Sequence, residues 1–336
     1  MTRFIVQRTL QMFLVLFVIS IMTFAAMRAV PGGPFSTEKN LPPRALQQLE
    51  AKYNLDEPIY MQYLNYIGDI VIPRISESQL PRSVLNDYLI NIPIPGLDKT
   101  LRWVNFGPSY KSQSQTVNDI IEDTLPVSAT LGIAALLIAI SIGVPAGIIA
   151  ALNQNSFLDY VSMGVAIVGV SVPVIVSGPV LRYVFGVQLG WLPPTGWGQP
   201  EHVIMPAFAL GFAQSALLAR LTRASLLQVL NEDYIRTARA KGLAERTVIG
   251  YHALKNALIP VVTVLGPLFA FLATGSFVAE LIFGIPGLGK FFVTSITNRD
   301  YPVIMGTTLL LGGIVIAANL AADIIYVMLD PRIQYS

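Results

Sequence analysis

The chain has 336 residues, 53% hydrophobic and only 12% charged, with a net charge of +2. Soluble domains carry about 25% charged residues, so the composition excludes an ordinary soluble protein and indicates a polytopic membrane protein. With no cysteine and only two histidines, His202 and His252, it also excludes a disulfide framework, a thiolate metal site and a cysteine nucleophile.

In chain order, Arg3 and Arg8 precede an apolar run at 10–27, followed by Arg28 and the turn Pro31-Gly32-Gly33-Pro34. The run exceeds the ~7–15 apolar residues of a signal-peptide core, so we read an uncleaved first span. From 31 to about 123 no window is apolar enough to cross. Tyr60, Tyr63, Leu64, Tyr66 and Ile67 recur there at helical spacing and predict a packed helix face rather than a ligand surface. Five further spans are predicted at about 127–152, 160–181, 203–219, 257–279 and 303–329, each near the ~20 residues a crossing helix needs.

Six spans leave both termini on one face. Short segments on that face hold Arg3, Arg8, Arg220, Arg223, Arg236, Arg239, Lys241, Arg246, Lys255 and Arg332, whereas short loops on the other hold only Arg182, Lys290 and Arg299. By the positive-inside rule the termini are cytoplasmic and 31–123 is external. Gly143 and Gly147 form a small-xxx-small pair suited to close helix packing. Pro145 and Pro173 interrupt spans, as packing features or as places where helices bend in a transport cycle.

The stretch 224–256 is the one long polar interruption in the second half. Asn231 or Asp233 can cap a helix start and Gly242 is a left-handed stop, which predicts a short helix, a sharp turn and a second helix feeding the next span. Small Ala238 and Ala240 among charges predict a surface facing a protein partner rather than lipid.

Asp323 is the carboxylate well inside a span, read as near the interface and paired to a neighbouring helix, with an ion or proton site as the rival reading. Glu280 lies at the outer end of the fifth span, open to a packing or a gate-side role. Gly284-Ile285-Pro286-Gly287-Leu288-Gly289-Lys290-Phe291 nearly matches a phosphate-binding loop. The hydroxyl that would hold Mg²⁺ is replaced by Phe291, and no strand is expected before it, so we read a rigid external turn. No nucleophile elbow, zinc-binding helix or other catalytic constellation is present, and no metal site or nucleic-acid partner is expected.

Several short motifs occur in order: Leu55-Asp56-Glu57-Pro58 with Gln62-Tyr63, Gly107-Pro108-Ser109-Tyr110, Leu125-Pro126-Val127-Ser128-Ala129-Thr130, Gly190-Trp191-Leu192-Pro193-Pro194-Thr195-Gly196-Trp197, Gly284 to Gly289, Arg299-Asp300-Tyr301 and Leu329-Asp330-Pro331-Arg332. Together with Arg236-Thr237-Ala238, Gly242 and Ile259-Pro260, they resemble the B-type permeases of dipeptide and oligopeptide ABC importers. Only Ala238 matches the general Glu-Ala-Ala element, and Pro260 lies farther from Gly242 than the general motif states; both departures are typical of that subgroup. About 70–101 looks like an insertion relative to the family: a docking surface, a plug over the entrance, or decoration.

The resemblance implies an all-α type I importer permease fold of six transmembrane helices. The first span would occupy 1–30, an extracytoplasmic segment 31–124, and the permease core 125–336. The chain would form half a translocation pathway in the cytoplasmic membrane of a prokaryote, with membrane lipid around it and a related C-type permease beside it. Two ATPase subunits would hold ATP and Mg²⁺, and an external binding protein would deliver substrate. No cofactor belongs to this chain. Tyr234, Arg236, Thr237, Ala238, Arg239, Ala240, Lys241, Gly242 and Leu243 would couple to an ATPase; Glu280, Gly284, Pro286, Gly287 and Gly289 would form an external gate or turn. Peptides are the expected substrate, with glutathione, nickel and oligosaccharides the other classes. The rival reading is an ion-coupled secondary transporter, for which Asp323 would be the candidate site.

Overall fold

The computed structural model describes residues 2–35, 42–77, 88–112, 114–273 and 276–329, with side chains from residue 8 to residue 322. The chain divides into two units. One comprises Thr2–Pro126 and Leu288–Gly313; the other comprises Val127–Gly287 and the chain from Ile314 onward.

In the first unit, α1 (Thr2–Ala29) is apolar along most of its length. α2 (Pro43–Lys52) starts on a proline, whose fixed φ suits a first helical position. α3 (Ile59–Val71) carries the expected tyrosine face. Tyr63 packs edge-on against Phe24 of α1, ring centroids 5.3 Å apart, and its hydroxyl lies 2.7 Å from Ser20 Oγ. Tyr60 and Leu64 instead point outward.

Next come β1 (Arg74–Glu77), β2 (Ile90–Pro93) and β3 (Lys99–Trp103), an antiparallel sheet in the order β1-β3-β2. Ile75 and Ile92 both pair with Leu101, and Gly96, at φ +85°, turns the chain between β2 and β3. The stretch expected as an insertion thus includes a small sheet within an otherwise helical protein.

α4 (Val117–Leu152) begins at a reciprocal cap. Thr116 Oγ1 accepts from the Asp119 amide at 3.1 Å, and Asp119 Oδ2 accepts from the Thr116 amide at 2.8 Å. α12 (Leu288–Asn298) and α13 (Tyr301–Leu329) complete this part of the chain. Asp300, just before α13, accepts from the Ser109 hydroxyl and from the Tyr110 amide. Two motifs 190 residues apart in sequence therefore meet.

In the second unit, α4 packs against α7 (Glu201–Leu230) through backbone-close contacts. A Cβ added at Gly143 would lie 2.5 Å from the Ser215 carbonyl oxygen, and one at Gly147 2.5 Å from that of Ala219. The glycine pair therefore works as expected, by letting two backbones approach.

The two interrupting prolines act differently. α4 runs through Pro145 unbroken. At Pro173 the chain breaks between α5 (Phe157–Ser171) and α6 (Val174–Leu181), which continues as a π-helical turn to Gln188, with a bend of 99°. Val172, ahead of Pro173, is extended at φ −101°, ψ 107°, the conformation a following proline favours. Ile167, Val168 and Ile175 along this bent pair are exposed, as residues facing lipid are.

The remaining helices of this unit are α8 (Asp233–Ala240), α9 (Glu245–Ala257, π-helical from Val248 to Ala253), α10 (Ile259–Ala273) and α11 (Phe277–Phe283). The expected fifth span, 257–279, is represented by α10, which ends at Ala273.

Among the described residues, four unbroken helices qualify by length and composition as membrane spans, in α1, α4, α7 and α13. The bent pairs α5–α6, α9–α10 and α11–α12 pass the same test when each pair is taken together.

Candidate functional site

The polar stretch folds as a short amphipathic helix bracketed by turns. α8 has Ile235 and Ala238 on one face, three residues apart and therefore adjacent. Both are buried, in a cluster with Ala151, Leu226, Val248, Ala253 and Ala257. Ala238 thus seats the helix on its own chain, where the sequence suggested an opening for a partner. Ala240 is exposed.

The start of α8 also departs from expectation. Its N-cap is Glu232, held by extended backbone with no side-chain cap bond, while Asn231 ends α7. The end of α8 follows the expected chemistry. Gly242 sits at φ +73°, its amide donates to the Arg239 carbonyl at 3.0 Å, and the Leu243 amide reaches the Ala238 carbonyl at 3.4 Å. This is a Schellman stop, which favours glycine at the left-handed position.

The outward face presents Tyr234, Arg236, Thr237, Arg239, Lys241, Gly242 and Leu243. A Cβ added at Gly242 would meet no atom within 4 Å. Arg239 pairs with Glu245 at 2.7 Å across the turn, and the Asn256 amide donates to the Tyr234 hydroxyl at 2.8 Å. Both contacts tie α8 to α9, which meets α10 at a 47° bend. Such exposed pairs add little stability; their effect is to orient the two helices.

Arg223 is one of the basic residues that the charge distribution assigns to the cytoplasmic face. The structure gives it a partner that the sequence did not suggest. Its Nε and Nη2 donate to the two carboxylate oxygens of Asp159, both at 2.7 Å. Asp159 is buried in the first turn of α5, so this two-pronged pair joins α5 to α7.

The second predicted group centres on Glu280, in α11. Its side chain is fully buried, and Ser128 Oγ of α4 donates to its Oε1 at 2.8 Å. Gly284 ends α11 in the left-handed region, φ +67°. The Gly196 amide donates to the Phe283 carbonyl at 2.9 Å, bringing the Gly190-to-Trp197 motif to this turn. A Cβ on Gly287 would come within 2.4 Å of the Glu280 carboxyl, so the turn closes over the buried acid. Pro286 is exposed, whereas Gly289 lies buried in the first turn of α12. The phosphate-loop resemblance fails structurally as well: a helix, not a strand, leads into it, and Phe291 packs in an apolar cluster.

Asp323 falls within α13, but its side chain lies outside the described residues, as do residues 330–332 of the last motif. Among the described residues no cluster of three or more His, Asp or Glu forms a metal site.

The sequence matches the family described as "Binding-protein-dependent transport system inner membrane component" over residues 143–335, and that family's N-terminal component over residues 1–83. The oligopeptide transport system permease protein OppB of Salmonella typhimurium is 42% identical, covering 100% of each chain. The dipeptide transport system permease protein DppB of Bacillus subtilis is 42% identical over 99% of this chain and 98% of its own. Among solved structures, an inward-facing MetNI methionine ABC transporter chain superimposes with a TM-score of 0.53 at 17% identity, covering 63% of this chain and 96% of that one.

The chain belongs to the family of binding-protein-dependent transport system inner membrane components. It is the membrane permease subunit of an ABC importer, with the fold of a type I permease, and is not itself an enzyme.

Proposed function

We propose that this chain forms half of a translocation pathway for short peptides. The observation that carries the substrate class is the full-length 42% identity to permeases named for oligopeptide and dipeptide transport. On this reading a related permease supplies the other half, and two ATPase subunits bind ATP and Mg²⁺ on the cytoplasmic side. An extracytoplasmic binding protein delivers the peptide.

The exposed face of α8, from Tyr234 to Leu243, seats in an ATPase groove. What supports this is a charged helix fixed to its own chain by Ile235 and Ala238 and ended by a glycine turn with open space around it. Charge on such a face selects partner and orientation more than it raises affinity. Closure of the ATPases then moves α8, and with it α9 and α10, biasing two states of the pathway. The buried Glu280 and the turn from Gly284 to Gly287 brace the external end.

The positive-inside distribution of arginine and lysine puts both termini in the cytoplasm. Six spans follow if α1, α4, α5–α6, α7, α9–α10 and α13 cross while α11–α12 enters and leaves on the external side.

The test is reconstitution of the four-subunit complex in liposomes with the binding protein and radiolabelled dialanine. Uptake is expected only with ATP on the side of the ATPases. Uptake driven by a proton or sodium gradient without ATP would overturn the reading in favour of ion coupling.

A further inference from the structure

The first unit encloses a cavity of about 230 Å³ that the transport reading leaves unused. Its floor includes the buried Met27, Phe106 and Met305, and its rim reaches the surface at Asn54 and Asn65.

Arg28 enters it from the end of α1. The guanidinium carbon lies 5.4 Å from the ring centroid of Phe24 and 5.5 Å from that of Tyr301. Nη2 donates to Gln62 Oε1, but Nε is buried with no acceptor, and Arg28 makes no ion pair among the described residues. From α3, the Tyr66 hydroxyl is also buried with no partner among the described residues. Burial holds the Tyr66 phenol well above its ordinary pKa, and burial pushes neighbouring Tyr110 up to about 12. Tyr66 therefore remains a proton donor at any physiological pH.

Among the described residues, one cavity thus holds two unused donors and a guanidinium that forms no ion pair. Buried donors and charges left this way are costly, so native structures supply partners for them. Water would satisfy the donors but would bring no negative charge into contact with the guanidinium.

The same wall carries Glu57 and Asp69, both engaged: Glu57 accepts from Asn65 at 2.9 Å, and Asp69 pairs with Arg74. Their charge disfavours a dianion such as phosphate and leaves room for a ligand with one carboxylate. The volume is below the ~300–1,000 Å³ of pockets for drug-sized molecules, so it suits a terminal residue or an acidic side chain.

We propose that this cavity is a carboxylate-binding subsite, with Arg28 Nε and the Tyr66 hydroxyl as its donors. Two sources of the carboxylate are consistent with the transport reading above, on which this part rests: the C-terminus of a short peptide, or an acidic side chain of the docked binding protein.

The test uses the four-subunit complex in nanodiscs, as wild type, Tyr66→Phe and Arg28→Gln. Equilibrium binding of dialanine and of dialanine amide is measured without the binding protein, and the affinity of the binding protein is measured separately. Tyr66→Phe removes only an unpaired hydroxyl, so a merely structural role predicts an unchanged or raised melting temperature and unchanged binding. A peptide source predicts that amidation and each substitution weaken dialanine binding by about tenfold, the loss of one charge-assisted hydrogen bond. A binding-protein source predicts that the same loss appears only in the affinity of that protein. If Tyr66→Phe alters neither affinity, the subsite is refuted. Dialanine uptake by the same wild-type preparation keeps the two readings apart: uptake with no response to the substitutions overturns the subsite alone, and no uptake overturns peptide import.

Discussion

Gly287 is a glycine because a carboxyl group occupies the space its side chain would need. A Cβ there would lie 2.4 Å from the carboxyl of Glu280, which is fully buried and held by Ser128. A carboxyl at the end of a free side chain could swing away, but one enclosed in a packed interior cannot without disturbing its neighbours. Gly287→Ala is therefore expected to destabilise the protein by about 1–3 kcal/mol, as overpacking does, read as a lower melting temperature of the purified complex. In a Glu280→Ala background the same substitution should cost markedly less, because residues in contact are not additive. Equal costs in the two backgrounds would refute the contact. From the sequence, Gly287 was legible as a member of the Gly284-to-Gly289 motif and Glu280 only as a carboxylate at the outer end of a span. That the acid turns inward beneath the glycine depends on α4 passing close by, which no local pattern encodes. Asp159 and Arg223 are a similar case: 64 residues separate them, and neither has a distinctive neighbourhood in sequence.

On the scale of elements, the unit of interest is α8, the Gly242 turn and α9. Its polarity, its length and the glycine stop were all readable from the sequence, because capping and helix propensity are local effects. Which face is turned inward was not: both alanines are small, and only packing on Leu226 and Val248 distinguishes Ala238 from Ala240. The two faces give separable expectations. Ile235→Asp buries an unpaired charge at a site with no exposure and should cost about 3 kcal/mol or more, seen as poor assembly or a lowered melting temperature. Gly242→Trp projects into open space and strains the left-handed backbone by only about 1–2 kcal/mol. It should assemble normally yet uncouple ATP hydrolysis from uptake, lowering dialanine transport by at least about tenfold, or 1.4 kcal/mol of coupling. ATP-driven uptake at the wild-type rate in Gly242→Trp would show that the coupling assignment is wrong. The prolines teach the same distinction. Pro145 and Pro173 look alike in sequence, but α4 absorbs the first and the chain bends by 99° at the second. The freed carbonyls can be accommodated in either way, so the choice depends on surroundings.

For the whole molecule, the proposed six-span topology sets which positions an impermeant reagent reaches from each side. Because the protein has no cysteine, single-cysteine labelling needs no background removal. With six spans and α11–α12 entering and leaving on one side, Gln199→Cys and Asn298→Cys should both react with an impermeant maleimide from outside. Lys241→Cys should react only from the cytoplasmic side. All three positions are exposed. Labelling of Asn298→Cys from the cytoplasm would mean that α11–α12 crosses, and the six-span topology would fall.

The membrane class, the long apolar stretches, the polar connection between α7 and α10 and the motifs shared with the permease family were determined by the sequence alone. They follow from composition, hydropathy and short-range chemistry, which act along the chain. The sheet, the 99° bend, the burial of Glu280, the inward turn of Ala238 and the cavity holding Arg28 and Tyr66 were decided only by tertiary structure. Each of these depends on which distant segment happens to lie alongside, and packing, unlike hydropathy, is not a property of any window of sequence.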